Sequence, residues 1–115
     1  MRRTLIGTIT GFALLAFGGA AVASDAKVEK GAKIYADQKC QMCHSIAGKG
    51  NVKGPLDEVG TKLKAEEIQD WITEPAKMAV KTKAERKPPM PAKYTSLPKE
   101  DLEALVAYLS TLKKK

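Results

Sequence analysis

The stretch KCQMCHSIAGKG, residues 39–50, holds the chain's only two cysteines and its only histidine. Cys40 and Cys43 stand three apart, and His44 follows directly. Two thiols and an imidazole in five consecutive positions, with none elsewhere, point to one chemistry that uses all three.

Three chemistries use such a cluster. A thioredoxin-like redox pair needs a βαβ setting, and no alternating β-branched run here reads as a strand. A structural zinc site needs four nitrogen or sulfur ligands, and this chain offers three from one cluster. A c-type haem attachment site has the order Cys-x-x-Cys-His and needs nothing more. Thiols one helical turn apart lie on one face, roughly 5–6 Å between Cβ atoms, so both can bond to the vinyl groups of one porphyrin. The adjacent His44 imidazole then lies beneath the iron as its proximal ligand.

With one histidine, the sixth iron position falls to a thioether. The candidates after Met1 are Met42, Met78 and Met90. Met42 lies between the two cysteines and cannot reach the opposite haem face. Met90 stands between Pro89 and Pro91, which restrict the unfolded loop and so lower the entropy lost in holding the sulfur. Met78 has no such restraint.

The chain of 115 residues, 43% hydrophobic and 29% charged, is one domain's worth of soluble globular sequence. Its first 23 residues, MRRTLIGTITGFALLAFGGAAVA, place two arginines ahead of an apolar run that ends in Ala-Val-Ala before Ser24. That order is a secretory leader with its cleavage site, so a mature domain over residues 24–115, exported to the periplasm, is expected. The competing reading is an uncleaved anchor, since Leu5 to Ala23 is uncharged and near the ~20 residues of a spanning helix. Cleavage leaves no membrane span.

Along the mature region, Ser24 or Asp25 is the expected cap of a helix carrying Val28, Ala32 and Tyr35 on one face. Gly31 on that face weakens a helix, so its expected use is the close approach of another backbone. The strongest periodic stripe is Leu102, Leu105, Val106, Leu109 and Leu112 near the C-terminus, preceded by Glu100 and Asp101 and followed by three lysines. Between them, Ala65, Ile68 and Ile72 share a face of a short helix that Pro75 is expected to stop, with Lys64 an unusual residue at its start. The segment from Pro75 to Leu97, with prolines at 88, 89 and 91, is expected to be an extended, stiff loop. The class is all-α.

These pieces in order resemble the class I c-type cytochromes: Gly31-x-x-x-Tyr35 on the first helix, CQMCH at 40–44, Gly54-Pro55, PPMP around Met90, and Tyr108 on the last helix. The resemblance runs over residues 24–115. It implies a small cytochrome c fold with N- and C-terminal helices crossing, Gly31 against Leu105 and Tyr108. It implies one covalent haem c, with thioethers from Cys40 and Cys43, His44 and Met90 as axial iron ligands, and the Pro55 carbonyl accepting the other imidazole N–H. Trp71 either packs on the haem or reaches a propionate. Two axial ligands from the protein leave no place for a substrate, so the implied role is a soluble one-electron carrier of a respiratory chain and not an enzyme. A membrane-anchored subunit of a respiratory complex, and a haem sensor or enzyme with an open sixth position, are the alternatives.

Charge adds a docking surface. Residues 24–115 carry 18 basic and 13 acidic residues, a formal +5. Lys77, Lys81, Lys83, Arg86, Lys87 and Lys93, against Glu85 alone, place all of that excess between 77 and 93. Such a surface suits an acidic redox protein, whose encounter it speeds. Nucleic acid is excluded as a partner, because the chain is exported and no stacking aromatics interleave these lysines. A monomer is expected.

Overall fold

The computed structural model describes residues 19–114. The leader expected over residues 1–23 lies outside the described residues apart from its last five positions, whose backbone opens the first helix. No described helix is long and apolar enough to cross a membrane.

Helix α1 runs Gly19–Asp37. It begins ahead of Ser24, so neither Ser24 nor Asp25 caps it; the alanines at 20, 21 and 23 are strong helix formers and continue the helix backward. Its buried face is Gly31, Ile34 and Tyr35. Lys39 adopts the left-handed conformation at φ 57, ends the helix and aims the chain into a 3₁₀ turn, Cys40–Met42.

A two-strand hairpin follows, β1 (Ser45–Ile46) paired antiparallel with β2 (Lys49–Gly50). Ala47 and Gly48 both have positive φ, as the tight turn between right-twisted strands requires. Its two-residue strands are too short for any alternation to show. Ser45 also forms a parallel bridge with Pro55, and α2 (Val59–Lys62) is tied to the C-terminus by Gly60 N–H donating to the Leu112 carbonyl at 2.7 Å.

Helix α3 spans Ala65–Thr73 and buries Ile68 and Ile72, while Ala65 is exposed. Lys64 N–H donates to the Glu67 carboxylate at 3.1 Å, which closes the first turn without a serine-type cap. Pro75 then both ends α3 and begins α4 (Pro75–Thr82), so the loop expected from Pro75 onward starts only at residue 83. The cause is that proline's missing N–H is harmless in a first helical turn. Residues 83–91 have no regular structure, and a 3₁₀ turn, Ala92–Ser96, buries Tyr94.

Helix α5 (Lys99–Ser110) starts with Glu100 and Asp101 in its first turn and buries Ala104, Leu105, Val106 and Leu109. It crosses α1 at Gly31. A Cβ there would collide with the Ala104 carbonyl oxygen and lie 2.6 Å from the Tyr108 Cβ. The expected partner Leu105 is instead turned inward, and the neighbouring Ala104, with its short side chain, lets the backbones meet. Tyr35 and Tyr108 pack edge to face beside the crossing, centroids 6.0 Å apart. Exposed ion pairs Lys30–Asp101 (3.1 Å) and Lys27–Glu103 (3.6 Å) flank it, each worth at most about 1 kcal/mol. The all-α class holds, with the small hairpin as the sole sheet among the described residues.

Candidate functional site

The 3₁₀ turn sets the spacing of the thiols. The Cys40 carbonyl accepts from Cys43 N–H at 3.1 Å and from His44 N–H at 2.9 Å, so Cys43 and His44 fold back over Cys40. Cys43 is exposed and Cys40 half-buried; burial pushes the Cys40 thiol up to about 11. No disulfide joins the two.

His44 is held by its Nδ1, 3.0 Å from the Gly54 carbonyl oxygen. A carbonyl only accepts, so Nδ1 carries the proton and Nε2 presents a lone pair. The acceptor is Gly54 and not Pro55. Ser45 N–H donates to the Gly54 carbonyl at 3.1 Å and its own carbonyl accepts from Leu56 N–H at 2.8 Å. That register turns the Gly54 carbonyl toward the Ser45 strand and the adjacent imidazole, and successive carbonyls of extended backbone point opposite ways. Burial lowers the His44 pKa from its ordinary value, and the Arg86 guanidinium adds to the effect against the Gly54 bond. The imidazole is thus kept neutral, the form that binds a metal.

Cys40, Cys43 and His44 line an apolar cavity of about 350 Å³. Its walls include Ile68, Ile72, Leu105 and Leu109, with Trp71 on the same lining. Met90 lines it as well and is half-buried. Met78 is buried on α4 and is not among the lining residues, and Met42 is 69% exposed and faces away. The cavity therefore brings together four of the five residues expected at the site, with Met90 the one methionine among them, and leaves Pro55 outside.

Two residues that sequence reasoning did not place here also line the cavity. Arg86, counted only as surface charge, reaches back across 43 positions to donate to the Cys43 carbonyl. Tyr35, expected simply to pack, buries a hydroxyl with no hydrogen-bond partner among the described residues. Neither had a local signal, since both roles depend on how distant segments meet.

The donor set tests what the cavity holds. Among the described residues no three His, Cys, Asp or Glu side chains converge as they would on a bare ion. One imidazole nitrogen, one thioether and two thiols around apolar walls fit a flat macrocycle with an iron centre, and the unpartnered Tyr35 hydroxyl suits a ligand with a polar edge.

Comparison with known proteins points the same way. A family model described as cytochrome c matches residues 28–113. Among curated proteins the chain is similar to cytochrome c oxidase subunit 2 of Alkalihalophilus pseudofirmus, 29% identical over 93 residues, which cover 73% of this chain and 25% of that protein. The chain thus spans about a quarter of the length of the curated relative it matches. No solved structure matches it.

Proposed function

The chain belongs to the cytochrome c family, whose domain carries covalently bound haem c for electron transfer, and we propose that it is a soluble one-electron carrier with His44 and Met90 as axial iron ligands. The observation that carries this reading is the convergence of Cys40, Cys43, the Nε2 side of His44 and Met90 on one apolar cavity. Bound haem supplies a reversible one-electron couple at its iron, with a thioether ligand raising the potential.

The chain's own residues do the rest. Cys40 and Cys43 hold the group covalently, which keeps it in place after export. Gly54 orients the imidazole and fixes its tautomer. Ile68, Ile72, Leu105 and Leu109 exclude water. With His44 and Met90 both holding the group's iron, no place would be left there for a substrate, which supports a carrier over an enzyme. Residues 81–89 are exposed, and Ala84, Arg86, Pro88 and Pro89 among them border the cavity, so a group bound there would have the basic segment over 77–93 beside it. An acidic redox partner in the periplasm fits that surface.

The relative's name supports a second reading, in which the chain serves as a membrane-anchored electron-transfer module of an oxidase. The mass of the purified protein decides. Ser24–Lys115 plus one haem, retained in acidified organic solvent and found in the soluble fraction, is expected. Retention of residues 1–23 in the membrane fraction would select the anchored module, and a mass without haem would end both readings.

A further inference from the structure

Residues 85–91 carry Met90, which packs against the core, yet few polar ties hold their backbone. Pro88, Pro89 and Pro91 lack amide donors, and residues 85–89 are all exposed. Helix α4 closes just upstream with Ala84 N–H donating to the Ala79 carbonyl at 2.9 Å, and Tyr94 is buried just downstream. Among the described residues, residues 85–90 make one hydrogen bond to the rest of the chain and no ion pair. That bond runs from the Arg86 guanidinium to the Cys43 carbonyl.

The place it docks is built for it. Gly54 is buried, and a Cβ there would collide with Arg86 Nη1 and with the Cys43 carbonyl oxygen, and would lie 2.7 Å from the guanidinium carbon. The planar fork therefore lies against the same glycine whose carbonyl receives His44 Nδ1. One side chain touches the end of the cysteine turn and the residue that orients the imidazole, and its backbone lies four residues before Met90.

We propose that Arg86 is a positioning residue: its guanidinium, seated in the space left by Gly54 and bonded to the Cys43 carbonyl, fastens the Met90 loop to the His44 side of the haem cavity. A hydrogen bond from a charged donor to a backbone carbonyl is among the stronger kinds, and here it acts on a segment with no competing polar ties. Among the described residues no carboxylate lies within ion-pair distance of Arg86, and its positive charge beside the site favours the less positive, reduced state of the group held there.

The proposal rests on the Met90 reading in one arm of its test only. In haem-loaded, reduced full-length protein, Arg86→Gln and Arg86→Leu should lower the NMR order parameters of the amides at 85, 86, 87 and 90 below about 0.6 while α1 and α5 stay near about 0.85. Carbon monoxide should bind the reduced variants at least tenfold faster, because Met90 departs more often, and the midpoint potential should fall. Arg86→Lys, which keeps the charge but not the fork, should restore the potential and leave the order parameters low. Order parameters at 85–90 unchanged from the parent protein overturn the proposal. So does an equal drop over α1 and α5, which would mean a general loss of order. Met90→Ala, run alongside, separates the two readings: if it leaves carbon monoxide binding unchanged the Met90 assignment fails, and the order parameters alone decide on Arg86.

Discussion

His44 and Gly54, ten residues apart, are joined by a 3.0 Å hydrogen bond from Nδ1 to the Gly54 carbonyl, and that carbonyl also accepts the Ser45 amide at 3.1 Å. One backbone oxygen thus sets both the strand register after the cysteine turn and the direction of the imidazole. The loop at 51–54 is part of the site because of this bond, although none of its side chains line the cavity.

The Gly31 crossing gives a test of the fold. Gly31→Ala gains about 1 kcal/mol of helix propensity but forces a methyl into the Ala104 carbonyl. Overpacking of this kind costs about 1–3 kcal/mol, and backbone yields less readily than a side chain. A net loss of up to about 2 kcal/mol in denaturant unfolding of the haem-loaded protein is expected. A net gain would mean that α1 and α5 do not meet there.

Tyr35 gives a pH signature. Burial raises its phenol from an ordinary ~10 to about 12. The unfolded chain loses that proton first as pH rises, so the contribution to stability is whole below pH 10 and falls between about 10 and 12. Tyr35→Phe should flatten that part of the alkaline loss in unfolding midpoints taken at pH 9 and 11.5. Parallel losses in the two proteins would place the titration elsewhere.

Docking on the basic segment is tested by charge reversal. Lys83→Glu with Lys87→Glu should slow electron transfer to an acidic partner several-fold and weaken its dependence on ionic strength, with the Debye length about 8 Å at physiological salt. Lys33→Glu with Lys113→Glu, the same charge change at exposed positions outside the segment, should do little. Equal slowing by both pairs would mean the contact lies elsewhere.

The site was legible in the sequence wherever its chemistry is local. Cys40, Cys43 and His44 declare themselves by spacing within one turn, and the prolines beside Met90 mark it apart from Met78. What escaped depends on register or on distance. Gly54 and not Pro55 receives the imidazole because of how Ser45 pairs across the loop. Arg86 reads as one more surface charge until the fold brings it to Cys43. On the fold side the α1–α5 crossing followed from Gly31, but its partner Ala104 did not, because a leucine stripe masks the alanine beside it. Helix α4 was hidden because Pro75 serves as both a stop and a start.

Exchange of methionines tests the central reading most directly. Met90 lines the cavity with His44, whereas Met78 is buried on α4 away from the lining. Carbon monoxide binding to the reduced, haem-loaded protein should be slow in the parent and in Met78→Ala, and fast in Met90→Ala with the haem still attached and the potential lowered. Fast binding in the parent protein, or a swap of behaviour between the two variants, would contradict the account of a carrier closed on both axial sides by His44 and Met90.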